Sequence, residues 1–323
     1  SEGGCIVSSI EFSYSVKLTL EIKECQIQHN IADLGGVIYM YTNKHSAISY
    51  CFISNNQAKS NGGFLFARNN KNVHMMTFVT INHSIFVHNS AIEYGGIFYI
   101  KGYRKSSLGG LRILKSVFMN SCSKKGSSIY VDNSQILEIL NSLFTKNKAS
   151  LRKKQYSSTI FIRKVSISYF RNSTFLHNEG SVLYADNIEF MSVKLCTFTH
   201  NSKQAMLFKK SEVKLIEIYK CRLISNNYDL TRKGAVSFKS GKVAQALIHS
   251  SYFGYNLASQ GGGGIYFSKT QRISVQSCIF DSNRVTVGGG AVHFKDVNGI
   301  VVLRSLFKQN IAAERGGAVR MEW

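Results

Sequence analysis

Four histidines in this chain stand directly before an asparagine: His29, His88, His177 and His200. Imidazole is the commonest metal ligand and proton shuttle, so a recurring His-Asn step could mark a metal site. His177 and His200 belong to consecutive copies of the pattern described below, which would bring them within about 5 Å in a stacked arrangement. The same position elsewhere holds Asn55, Lys146, Ser225, Tyr255, Ser282 and Gln309. It therefore reads as a solvated turn of no fixed chemistry, and no metal site is assigned.

Carboxylates come next, because hydrolysis of a glycosidic bond needs two of them placed together. The chain has 18 acidic residues and no Asp-Asp pair, and its nearest pairs are Glu21 with Glu24, Asp186 with Glu189, and Glu212 with Glu217. Surface ion pairing accounts for these, so no catalytic residue is assigned and no enzyme is expected. Gly261 to Gly264 lacks the Lys-Ser/Thr that would complete a phosphate-binding loop. No cofactor is expected either.

Five of the seven cysteines, Cys25, Cys51, Cys196, Cys221 and Cys278, fall where other copies of the pattern place serine. That interchange argues for a small buried residue rather than a reactive thiol. Cys25 with Cys51, and Cys196 with Cys221, would lie near enough for a disulfide, although side chains stacked in register point the same way and suit the bond poorly. Two sequons, at Asn82 and Asn172, are glycan-acceptor candidates if the protein is secreted and the site exposed.

These residues must be positioned by something, and the chain writes its scaffold plainly. A small residue, a large apolar residue two places on and an asparagine three further recur eleven times between Cys25 and Ser305, about 28 residues apart. The apolar place reads Ile27, Ile53, Phe86, Phe118, Phe144, Phe175, Phe198, Leu223, Phe253, Phe280 and Phe307. The polar place reads Asn30, Asn56, Asn89, Ser121, Asn147, Asn178, Asn201, Asn226, Asn256, Asn283 and Asn310. Glycine pairs follow at Gly35-Gly36, Gly62-Gly63, Gly95-Gly96, Gly263-Gly264, Gly289-Gly290 and Gly316-Gly317. Period-two alternation flanks each pair, as in "VIYM" and "FLFA", which is the pattern of strands. No segment carries a sustained helical stripe.

A unit this short with no helix cannot bury its own apolar face, but stacked copies can, each strand pairing in parallel with its counterpart one repeat later. The expected fold is all-β: one right-handed parallel β-helix of about 11 coils and a mean repeat of about 28 residues, continuous over 1–323 as a segment of a longer chain. Phe86, Phe118, Phe144, Phe175, Phe198, Phe253, Phe280 and Phe307 would form an interior aromatic column. The asparagines would sit at a turn, adopt the left-handed region and pass side-chain hydrogen bonds from coil to coil. A sandwich or propeller would not require the same residue type at equivalent places.

Composition bounds the partners. Forty Lys and Arg against 18 acids give a formal charge of +22, which attracts polyanions. The basic residues are spread along the chain in short clusters only, so nucleic acid is not the expected partner. No apolar run is long enough to span a membrane in this segment. Proline is absent, leaving turns to Gly, Asn and Ser.

The stretches "FKQNIAAERGGAV" and "FVHNSAIEYGGIF" resemble the FxxN and GGA(I) repeats of polymorphic outer membrane proteins, within the pectin-lyase-like β-helix superfamily. That resemblance implies a passenger-like β-helix on a cell surface or outside the cell, adhesive rather than catalytic. The expected function is therefore a structural or adhesive β-helix binding protein or glycan partners, including polyanionic ones, alongside flanking segments of its own chain. The alternatives are a carbohydrate-active β-helix and a basic scaffold subunit of a larger assembly.

Overall fold

The computed structural model describes residues 6–9, 19–41, 45–68, 77–102, 108–149, 157–209, 213–227, 233–239 and 243–323. Every element among them is a β-strand, and the strands pair in parallel. The chain divides into two compact units, Ser1–Tyr169 and Phe170–Trp323.

In the first unit three kinds of strand build the coil, with a short fourth after the asparagine, as in Ile31–Leu34 and Gln57–Asn61. The Phe strand is the three-residue segment around the apolar place: Gln26–Gln28, Phe52–Ser54, Ile85–Val87, Val117–Met119 and Leu143–Thr145. The glycine strand follows the glycine pair, as in Ile38–Tyr41, Leu65–Arg68 and Phe98–Lys101. The lead strand runs into the next small residue, as in Thr19–Lys23, His45–Ser49, Thr77–Asn82 and Leu108–Leu114. Equivalent residues pair one coil on, for example Phe86 with Ile53 and Phe118.

The second unit repeats this plan with six Phe strands, from Thr174–Leu176 to Leu306–Lys308. Its glycine strands include Val236–Lys239, Ile265–Ser268 and Val292–Lys295. Its lead strands include Phe190–Lys194, Val213–Tyr219 and Val243–His249. Both units are parallel β-helices.

Away from the outermost coils, side chains of one face of the strands fill the interior. Phe86, Phe118 and Phe144 stack at 5.0 and 4.4 Å between ring centres, and Phe175 with Phe198 at 4.7 Å. Phe253, Phe280 and Phe307 continue in the second unit beyond Leu223, and Phe307 in the last coil is half-buried. Stacking at this pitch follows from the strand spacing, which sets identical residues one coil apart. A second interior column, Phe208, Phe238, Phe267 and Phe294, lies on the glycine strands.

The asparagines are interior as well. Asn56, Asn89, Asn147, Asn178, Asn201, Asn226, Asn256 and Asn283 are fully buried, while Asn30 and Asn310 are half-buried in the outer coils. Asn226 is typical: its Nδ2 donates to Asn256 Oδ1 at 3.2 Å and to the Phe198 carbonyl of the preceding coil at 2.9 Å. Its Oδ1 accepts from Asn201 Nδ2 at 2.8 Å. Ser121 replaces one rung, its backbone N–H and hydroxyl both donating to Asn147 Oδ1.

One expectation is corrected here. No ladder asparagine has positive φ; the residue before it does, at 51° to 57°, from His29, Asn55 and His88 to Tyr255, Ser282 and Gln309. An inward amide must meet both neighbouring coils, so the turn falls on the preceding residue, whose side chain faces out. A second turn, unannounced by the sequence, precedes each small residue: Glu24, Tyr50, His83, Lys115 and Asn141 in the first unit, then Asn172, Leu195, Lys220, Ser250, Ser277 and Arg304 in the second. Left-handed backbone costs a non-glycine residue roughly 1–2 kcal/mol. Hydrogen bonds to the next coil hold these turns, such as Tyr50 N to Asn82 O at 3.0 Å.

The glycines divide two tasks. Gly35, Gly62 and Gly95 take φ of 60° to 68°. Gly36, Gly63 and Gly96 let the next coil approach, and a Cβ on Gly63 would stand 2.1 Å from Gly96 O. The pair expected at Gly263-Gly264 is displaced by one residue, because Gly262 is the register partner of Gly289.

Candidate functional site

With the inward positions committed to packing, chemistry is left to outward residues and to the turns. The small residue before the Phe is more than filler. Ser84 Oγ accepts from Cys51 N at 3.2 Å and donates to Asn82 O at 2.9 Å, and Ser116, Ser142 and Ser251 repeat one or both bonds. Cysteine there is the weaker partner: Cys221 Sγ lies 3.4 Å from Tyr219 O. Burial pushes the Cys51, Cys196 and Cys278 thiols up, and that of Cys221 up to about 11. Cys25, Cys51, Cys196 and Cys221 are free thiols, so neither of the pairs that adjacent coils bring together is bridged.

Outward acids are bound by bases of the neighbouring coil. In the first unit Asp132, fully buried, takes a bidentate contact from Arg163, with Nε to Oδ1 at 3.0 Å, and Glu93 pairs with Lys124. Arg112 Nε meets Glu138 at 2.5 Å. Beside Asp132 runs a stack of Tyr39, Phe66, Tyr99, Tyr130 and Phe161 at 4.9 to 5.2 Å. Burial, then the Asp132 charge, pushes the Tyr99 hydroxyl up to about 12 and raises that of Tyr130.

In the second unit Glu322 lies 2.5 Å from Lys295 Nζ and 3.0 Å from Arg320 Nη2, contacts that hold its carboxyl below the ordinary range. His293, buried beside it, is 3.3 Å from Glu322 Oε2 without the alignment of a hydrogen bond. Burial, then Arg320, pulls its pKa down to about 4. Tyr266 meets the imidazole edge to face at 5.4 Å, and Lys233 Nζ caps the Tyr266 ring at 3.5 Å.

An open depression of about 310 Å³ lies on the lead strands of the second unit. It is lined by Lys194, Glu217, Ile218, Tyr219, Leu247 and His249. Register creates it: Lys194, Tyr219 and His249 form one outward column, and Ser192, Glu217 and Leu247 the next. Glu217 Oε2 is 3.1 Å from Lys194 Nζ and 3.2 Å from Ser192 Oγ. Lys220 Nζ lies 5.2 Å from the Tyr219 ring centre. The arrangement offers an aromatic platform with one neutralised carboxylate and an imidazole, which suits hydrogen bonding to a ligand such as a sugar.

Of the pairs of acids noted in the sequence, Glu24 contacts Lys23, Glu189 contacts Lys214 and Glu217 contacts Lys194, while Glu212 lies outside the described residues. Among the sequons, Asn172 is exposed at a positive-φ turn, whereas Asn82 ends a lead strand and is half-buried. Tyr219, His249, His293 and Asp132 were not legible as site residues, because none belongs to the repeated skeleton. A search for opposite charges one repeat apart would have found Asp132 with Arg163 and Glu93 with Lys124.

Residues 109–244 match the family model described as a right handed beta helix region. With the in-register parallel coils, that match supports a β-helix of the pectin-lyase-like superfamily. No curated protein and no solved structure matches the chain.

Proposed function

We propose that this chain is a non-enzymatic β-helix scaffold of a surface or extracellular protein, binding protein or glycan partners through its outward columns. The observation that carries this reading is the coil-to-coil neutralisation of acids: Asp132, Glu93, Glu138, Glu189, Glu217 and Glu322 each contact a base of a neighbouring coil. Glycoside hydrolysis needs a pair of carboxylates able to exchange protons with substrate. Cations remain in excess and recur at coil pitch, as with Arg68 opposite Lys101 and Lys209 opposite Lys239. Such columns favour an acidic partner, by steering as much as by contact. The resemblance of the repeats to polymorphic outer membrane proteins supports placement at a surface.

A carbohydrate-active β-helix is the alternative, and the depression around Glu217 and His249 is its best support. Only one carboxylate lines that depression, and Lys194 engages it. The test is a glycan and polyanion binding array at two salt concentrations, run beside a polyuronate cleavage assay. Binding that weakens steeply with salt, without cleavage, is the expected result. Cleavage would overturn the proposal.

A further inference from the structure

His177 and His200 hold the same turn position in neighbouring coils of the second unit, at φ of 52° and 51°. Their register is fixed on both sides, by Leu176 opposite Thr199 and by the Asn178 to Asn201 hydrogen bond of 3.0 Å. Both side chains are exposed, their ring centres are 5.2 Å apart and their planes are tilted by 33°. Thr199 Oγ1 and His200 Nδ1 share a hydrogen bond of 2.8 Å.

We propose that this pair is a surface chelate for a late divalent transition-metal ion, taking copper(II) in preference to nickel(II) or zinc(II). Two imidazoles on one ion, with metal–nitrogen bonds of about 2.0–2.1 Å, place their ring centres roughly 4.5–5 Å apart as the angle at the metal opens from the square-planar cis value towards the tetrahedral one, close to the 5.2 Å here. The backbone is held by the strand and ladder on either side, so little ordering accompanies binding. Thr199 occupies Nδ1 of His200 and so leaves Nε2 as the ligating atom, in the manner of the outer-shell partners that orient metal-bound histidines.

Imidazole donors and the Irving–Williams order place copper(II) first, and the shortage of oxygen ligands disfavours calcium and magnesium. Among the described residues no cluster of three or more metal-ligating side chains forms. Water, or a donor atom of a partner, therefore completes the coordination. The equivalent turn in the first unit lacks this geometry, since His88 faces Asn120 in the next coil, with Nδ2 3.4 Å from Nε2.

The experiment titrates the whole chain with copper(II) chloride by calorimetry and records the spin-resonance spectrum of the bound ion. One ion per chain with two nitrogen ligands is expected. His177→Asn and His200→Asn should each weaken binding at least tenfold and remove the two-nitrogen signature, and Thr199→Val should weaken it about tenfold. His88→Asn should change nothing. Asn55 and Asn120 already occupy this turn at φ of 54°, so the asparagine variants keep the fold. Absence of copper binding, or equal loss in His88→Asn and His177→Asn, would overturn the proposal.

Discussion

Asn201 Nδ2 lies 2.8 Å from Asn226 Oδ1, and both side chains are wholly buried. The turn that leads into this rung is made by Ser225, at φ of 52°, and not by Asn226. Ladder and turn are thus separate positions with opposite tolerances. Asn226→Ala should lower stability by about 2–3 kcal/mol, because buried donors and acceptors in two neighbouring coils lose their partner. Ser225→Gly should be neutral or stabilising by up to about 1 kcal/mol, since relief of left-handed strain outweighs the added freedom of the unfolded chain. Thermal unfolding of the two variants would separate these outcomes, and equal losses would contradict the assignment.

Close approach, rather than φ, explains the second glycine of each pair. A Cβ on Gly63 would meet Gly96 O at 2.1 Å and Ser90 O at 2.4 Å, both backbone atoms of the next coil. Gly63→Ala should therefore cost about 2–4 kcal/mol, as an overpacked core position does. At Gly299 the nearest atom would be 3.5 Å away, so Gly299→Ala should shift the melting temperature by no more than a degree or two, roughly 0.5 kcal/mol.

Thiol chemistry should follow burial. Cys196 and Cys221 lie within the coils, with burial raising both thiols, whereas Cys25 is exposed. Alkylation of the folded protein at neutral pH, read by peptide mass spectrometry, should modify Cys25 and spare the other two until denaturant is added. Cys196→Ser should cost less than about 1 kcal/mol, because serine at the equivalent places bonds to the same carbonyl.

His293 makes stability depend on pH. Its pKa in the folded protein, about 4, lies below the ordinary value of 6.5, so between those values the unfolded chain binds a proton that the folded chain does not. Stability should fall as pH drops from about 6.5 towards 4, by on the order of 1–2 kcal/mol from this group alone. Tyr266, Lys233, Arg320, Glu322 and Lys295 surround the ring or its partner carboxylate, and all remain in His293→Gln. The difference between wild type and variant melting temperatures across this range isolates the imidazole, and parallel curves would count against its buried, neutral state.

The recurring small-x-Phe-x-x-Asn phrase by itself determined the parallel coil, because only stacking buries so short a unit and only stacking demands one residue type at equivalent places. It also determined which residues line the interior, since Phe118, Asn147 and Gly96 repeat for reasons of packing and hydrogen bonding that act within every coil. What it left open are relations between residues that do not repeat. The left-handed residue could not be told from the asparagine beside it, because His177 and Ser225 share no side-chain chemistry, only a backbone angle. Asp132 with Arg163, Glu217 with Lys194 and His177 with His200 are remote in sequence, and the register of parallel strands alone made them neighbours.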